Sequence, residues 1–387
     1  MAADPSATRL PAPAAFMHET SDGHRSFGKQ GARARGLAPH GSLNGARTMT
    51  APMTPPPTDA RGWSRLLRSY HRPSSSRSAL EVAVTVVPFV AFWVAAALAV
   101  SSGHWWGALL TVPAAAFLVR LFVLQHDCGH GALFSSRRAN DWTGRALGVL
   151  TFTPYDYWRR THAVHHASSG NLDRRGIGDV HTLTVAEYRA LTRWGRFQYR
   201  VYRHPAVMFG LGPAWLFVCQ HRLPVSLMRS GSLPWVSALG TNLGIVLPAA
   251  GLMWLMGPWA FLAVQGPVIL MAATAGVWLF YVQHQFETTQ WDEAEDWEFG
   301  HAALHGSSNY VLPRPLRWMT GNIGAHHVHH LSARIPFYRL SEVLRDHPEL
   351  AAMGRVTLMD SLRGVRLVLW DAEARRLISF RDEARAA

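Results

Sequence analysis

Four long apolar stretches constrain this chain more than any other feature. Leu80 to Val100 is apolar apart from Glu81 and Thr85. Trp105 to Leu124 follows after the short loop Ser101-Ser102-Gly103-His104, with Arg120 as its only charge. Trp235 to Met256 and Trp259 to Val282 form a second pair around a turn at Gly257-Pro258. Each is about as long as a helix must be to cross the hydrocarbon core of a bilayer. Lipid offers the backbone no hydrogen-bond partners, so such a segment has to be helical. The expected fold is an all-α integral membrane protein with four transmembrane helices in two hairpins. Arg120 lies about one turn from the end of its stretch, where a long side chain is expected to snorkel toward the interface.

The remaining segments fall around this frame. Residues 1–73 are rich in Ala, Pro, Ser, Gly and Arg without a sustained apolar period, and are expected to be disordered. They lack the apolar core of a secretory signal. Met49 and Met53 stand just before the first ordered-looking stretch and are alternative start sites. Residues 74–340 are expected to form the membrane domain, and residues 341–387 a cytoplasmic helical cap. Met208 to Cys219 is apolar but too short to span, and reads as an interfacial or re-entrant helix. Tyr188 to Arg203 is basic and aromatic, as expected of a helix on the membrane surface.

Charge gives an orientation. The net charge is +13, and Lys29 is the only lysine, so arginine carries it. Arg61, Arg65, Arg68, Arg72 and Arg77 precede the first stretch; Arg137, Arg138, Arg145, Arg159, Arg160, Arg174 and Arg175 follow the second. The loops on the other side carry none. The positive-inside rule places both termini in the cytoplasm. With apolar spans present, the basic balance points to a lipid surface or an acidic redox partner and not to nucleic acid. Cys128 and Cys219 do not form a disulfide framework, and Cys128 calls for a reducing compartment.

Three histidine boxes sit at the cytoplasmic exits of this frame. They are His126-Asp127-Cys128-Gly129-His130, His162-Ala163-Val164-His165-His166 and His326-His327-Val328-His329-His330. His126 and His130 stand at i and i+4. The other two boxes place histidines at i, i+3 and i+4, on one helical face. His284, at the exit of the fourth stretch, is a further candidate ligand. One His-x-x-x-His alone is weak evidence, because helices carry such pairs for structural reasons. Three boxes in order, each beside a span, are specific for a metal site.

Imidazole-rich, carboxylate-poor ligand sets suit iron, copper or zinc and exclude calcium or magnesium. Structural zinc usually takes four ligands, and this supply is about twice that. Two metals are the expected content, held by His126, His130, His162, His165, His166, His284, His326, His329 and His330. Asp127, Asp156, Asp179, Glu287 and Asn322 are candidates to orient ligand rings through the second ring nitrogen. His327 falls off the shared face and joins that group. His181, His301 and His305 read as ordinary loop histidines. Gly321 and Gly324 are expected to shape the turn into the third box.

With these boxes in hand, the chain resembles the membrane fatty acid desaturase family from about Arg72 to Arg339. It is most similar to the acyl-lipid, Δ12/ω-6-like branch of bacterial, cyanobacterial and plastid enzymes. The carriers are Cys128-Gly129, Tyr281 to Glu287, Gly321-Asn322-Ile323-Gly324 and Arg334-Ile335-Pro336, with Asn171 to Gly176 and Gly178-Asp179-Val180. The resemblance implies a non-haem di-iron centre, O2 as co-substrate, a cis double bond placed in an acyl chain, and a bacterial plasma membrane location. It also implies a separate electron donor, ferredoxin-like or cytochrome b5-like, since the chain has no His-Pro-Gly-Gly haem signature. Phe280 departs from the acyl-CoA branch, where an Asn one turn before the ninth histidine holds a metal-bound water. Arg189, Arg193, Arg196, Arg200 and Arg203 are candidates to meet an acidic donor or lipid phosphate.

The boxes do not separate a desaturase from a hydroxylase, acetylenase or carotenoid ketolase, because the outcome depends on how substrate is held. A non-enzymatic metal transporter or store is a reading from another class. Four spans are few for it, and its ligands would be expected at the bilayer midplane.

Overall fold

The computed structural model describes residue 57, residues 59–176 and residues 178–386. Both alternative start sites and most of the stretch expected to be disordered lie outside the described residues. Its last part is a correction. Ala60–Leu67 is a helix capped by Asp59, whose carboxylate accepts from the Gly62 N–H at 2.8 Å. Trp63 and Leu67, one turn apart, are buried, and Trp63 meets His347 edge-on. Tertiary burial of that apolar pair fixes a helix too short to stand out beside a Pro-rich run.

Four helices are long and apolar enough to cross a membrane: Ser75–Ser101, Trp105–His130, Ser232–Met256 and Pro258–His284. They are called the first to fourth apolar helices below. The second is the hub, with 61% of its apolar stretch buried against 17% for the third. The first and fourth flank it, and Trp93 Nε1 donates to Gln265 Oε1 at 2.7 Å to tie those two together. Arg137–Leu150 and Tyr155–Ser168 cover its histidine-bearing end. The second and fourth helices end at His130 and His284, so both hairpins deliver histidines to one side.

Arg120 does not snorkel. It is 1% exposed and pairs with Glu81 of the first helix, itself 3% exposed. Its Nε donates to Thr85 Oγ1 at 3.1 Å, and its guanidinium lies 4.0 Å from the Trp318 ring. A buried cation is tolerated when a buried anion and hydrogen bonds replace its water. Glu81, Thr85 and Arg120, the polar interruptions of the first hairpin, are thus one cross-helix staple.

Val207–Leu211 and Trp215–Cys219 form wide π-helical turns around Gly212–Ala214, packed against the fourth helix. The expected surface helix is two pieces, Val185–Ala190 and Arg193–Tyr202. Its arginines are partly engaged. Arg203 is buried and donates to Tyr281 and Gln285, while Arg189 pairs with Glu383 at 3.0 Å.

The all-α expectation needs a second correction. Short strands run through the soluble part: β1 (Leu183–Thr184), β2 (Asn309–Val311), β3 (Arg355–Thr357), β4 (Leu369–Asp371) and β5 (Arg376–Ile378). β4 pairs parallel with β1 and antiparallel with β5, and β2 pairs parallel with β3. The C-terminal segment is therefore mixed, not a helical cap. Leu369 and Ile378 pack on Tyr188 and Tyr199, while Trp370 stacks on Trp291. Aromatic and branched residues on both sides of an Asp-capped turn favour the hairpin.

Candidate metal centre

The three boxes and His284 converge on two adjacent clusters. His126, His130, His162, His166 and His329 form one; His165, His284, His326 and His330 form the other. In each, the ligand nitrogens lie within 4.8 Å of one another. All nine histidines expected as ligands fall in these two groups, His284 included.

Helix geometry explains the partition. Each i, i+4 pair stays together: His126 with His130, His162 with His166, and His326 with His330. The i+3 residues cross over, His165 to the four-histidine cluster and His329 to the five-histidine cluster. Successive residues are about 100° apart around a helix. The i+3 and i+4 side chains therefore leave opposite flanks of the shared face and reach two sites. The rings of His166 and His330 stack at 4.1 Å where the clusters meet.

The distances fit cations. Nε2 atoms lie 3.0 Å apart for His130 and His162, and 3.1 Å apart for His162–His166 and His166–His329. In the other cluster they are 3.1 Å for His165–His284 and His326–His330, and 3.0 Å for His284–His326. Imidazole binds first-row metals at about 2.0–2.1 Å, which puts ligands at right angles about 3 Å apart. Burial, reinforced by neighbouring imidazoles, holds His162, His166, His326, His329 and His330 well below their ordinary pKa. They are neutral, so their lone pairs point at one another unless a cation stands between them.

Only some of the expected orienting residues touch a ligand. Asp179 accepts from His165 Nδ1 at 2.6 Å. Asp127 Oδ1 lies 3.7 Å from His126 Nδ1, and its other oxygen accepts from the Phe337 N–H at 2.7 Å. The rest are corrections. Asp156 is held by Arg145 at 2.9 and 3.2 Å. Glu287 is exposed. Asn322 bonds Phe337 and Ser341 in the turn before box three. His327 is buried, its pKa pushed down to about 4 by burial, and its Nε2 donates to the Leu350 carbonyl at 2.8 Å. Asp156, Asn322 and His327 each meet a backbone or arginine demand first. His301 and His305 lie outside both clusters.

Gly321 and Gly324 act as expected. Gly321 has φ +57°, and a Cβ on Gly324 would stand 2.4 Å from the Tyr310 carbonyl oxygen. Other contributors escaped sequence reading. Ser169 Oγ and the Gly306 carbonyl each lie 3.4 Å from His284 Nδ1. Gln283 donates to the Ile323 carbonyl at 3.1 Å, steadying the approach to box three. Trp158 stacks on His162 at 4.5 Å. Trp158 was legible, being one turn before His162; the loop contacts carry no sequence signal.

The family described as fatty acid desaturase matches residues 103–361. The chain belongs to that family. A fatty acid desaturase of Bacillus subtilis is 41% identical over 318 residues, covering 82% of this chain and 90% of that protein. An sn-1 acyl-lipid omega-3 desaturase (ferredoxin) of Synechocystis is 29% identical over 57% of this chain and 61% of its own length. An omega-3 fatty acid desaturase (endoplasmic reticulum) of Vigna radiata is 27% identical over 79% of this chain and 81% of its length. These names specify omega-3 for two relatives and assign no double-bond position to this desaturase-family chain.

Proposed function

We propose that this chain is an O2-dependent desaturase that places a cis double bond in the acyl chain of a membrane lipid, at a di-iron centre reduced by a separate donor. The carrying observation is a cavity of about 710 Å³ whose wall includes His126, His162 and His326 from the two clusters. Pockets of this size suit small, largely apolar ligands. When bound, a di-iron pair supplies activation of O2 and removal of hydrogens from adjacent unactivated carbons.

The chain's own residues position and exclude. Nine imidazoles would hold the cations, and Asp179 fixes the His165 ring. Phe280 lines the cavity with its ring 5.1 Å from His165 and 5.2 Å from His284. It keeps the wall beside the four-histidine cluster apolar. Apolar walls hold methylenes in one pose and keep water from reactive species. The positive-inside bias puts the clusters on the cytoplasmic side of a bacterial plasma membrane, where a ferredoxin-like donor can dock. Of the basic stretch, Arg193 and Arg200 remain exposed for such a contact.

The test is gas chromatography–mass spectrometry of fatty acids from a host expressing this chain with a ferredoxin and its reductase, beside a His329→Ala control. A new unsaturated acyl chain, absent from the control, supports the reading and gives the double-bond position. An unchanged profile with the donor present sinks it.

A further inference from the structure

A second, much smaller recess lies against the four-histidine cluster. Its volume is about 30 Å³, and His284 forms part of its wall. Asp179, Val180 and Phe280 line both this recess and the large cavity, and so form the partition between them. The Phe280 ring lies 5.2 Å from that of His284 and 5.1 Å from that of His165. The partition therefore stands beside the expected metal ligands.

The wall of the recess says what it can hold. Val180, Phe280 and Trp291 present carbon to it. Its polar side chains are spent on the protein. Asn171 Oδ1 accepts from the Asp173 and Arg174 N–H groups. Arg175 donates to the Leu172 and Thr182 carbonyls and to Glu187. Gln285 accepts from Arg203 and donates to Thr182 Oγ1. Asp179 accepts from His165 Nδ1, and Ser169 Oγ faces His284 Nδ1. A buried water needs about two to four polar partners, whereas small cavities without free polar groups stay dry and take apolar guests such as xenon. The volume corresponds to roughly two water-sized spheres, which is room for one apolar diatomic molecule.

The reaction proposed above requires such a guest. Turning –CH2–CH2– into –CH=CH– consumes one O2, two electrons from the donor and two protons, and returns two waters. The acyl chain and O2 must be present together. With the acyl chain filling the large cavity, O2 needs a place of its own beside the ligands. Gly170, Arg175 and Val180 on the recess wall are only half-buried, so the recess is reached from the surface without crossing the acyl cavity.

We infer that the recess between His284, Val180, Phe280 and Trp291 is an entry and holding site for O2, separate from the acyl cavity. This rests on the desaturase reading and adds to it a site for the second substrate.

The first part of the test needs no turnover. Crystals of the intact, metal-loaded chain are pressurised with xenon, which is expected to settle against Val180, Phe280 and Trp291. Xenon confined to the large cavity or to the outer surface overturns the site. The second part uses Val180→Leu and Val180→Phe, which add bulk to the wall in two steps. Both should raise the KM for O2, by about tenfold for phenylalanine, while the KM for lipid holds and high O2 pressure restores turnover. An unchanged KM for O2 in both variants, or an equal rise in the KM for lipid, overturns the site. Xenon in the recess of a chain that makes no unsaturated product with its donor present would leave the recess as a gas site and overturn the desaturase reading alone.

Discussion

The two histidine clusters share two helices, Tyr155–Ser168 and His326–Leu331, but are held in different ways. The five-histidine cluster has more ligands and fewer tethers. Its closest carboxylate, Asp127, stands 3.7 Å from His126 Nδ1, which has no hydrogen-bond partner among the described residues. The four-histidine cluster has fewer ligands, two of them tethered, while its His326 Nδ1 likewise has no hydrogen-bond partner among the described residues. Asp179 anchors His165, and Ser169 with the Gly306 carbonyl faces His284. A ligand ring whose second nitrogen is bonded has its tautomer and orientation fixed. One cluster thus gains its grip from number, the other from orientation.

Single-ligand removal is the strongest way to break that contrast. His165→Ala leaves three histidines in its cluster, and His329→Ala leaves four in the other. Both are expected to abolish product formation, measured as desaturated fatty acid. Metal analysis should separate them, with His165→Ala losing its ion at a lower chelator concentration. Full activity in either variant would sink the ligand assignment, and equal metal loss would erase the distinction.

Substitution of the tethers comes next. Asp179→Asn keeps the shape and loses the charge that orients His165, and should lower metal affinity or activity about 10- to 100-fold. Asp127→Asn should act mainly on the fold. Its Oδ2 accepts from the Phe337 N–H at 2.7 Å; an amide keeps that bond as a weaker neutral one or turns its NH2 onto the N–H, at a cost of up to about 1–3 kcal/mol. The readouts are metal titration and thermal unfolding in detergent. A metal-affinity loss in Asp127→Asn as large as that in Asp179→Asn would show that both clusters are oriented by carboxylates.

The same contrast marks what the sequence could carry. The gathering of the nine histidines was legible because helical spacing puts them on one face and box order puts them at helix exits. The four apolar helices were legible because lipid removes other backbone options. Most of the expected orienting residues were misread. Asp156, Asn322 and His327 are polar residues near the boxes in sequence, but Arg145, the Phe337 carbonyl and the Leu350 carbonyl claim them. Proximity along the chain does not say which way a side chain turns. The strands of the C-terminal segment escaped for a related reason, since β1 and β4 pair across nearly half of the chain's length. Arg120 was misread because its partner Glu81 belongs to another helix.

The smallest expected effect tests where tethering ends. His305 lies on Phe299–His305 with its ring 4.7 Å from that of His301, outside both clusters. Its backbone carbonyl accepts from the Gln290 N–H at 3.1 Å, a bond that alanine retains. His305→Ala should therefore keep most activity and shift stability by no more than about 0.5 kcal/mol. The next residue is Gly306, whose carbonyl faces His284 Nδ1. If the His305 ring, and not the backbone, fixes that turn, the variant would release His284 and lose metal from the four-histidine cluster alone. Selective metal loss in His305→Ala would then extend the tethering of that cluster one layer further out, to a helix that contributes no ligand.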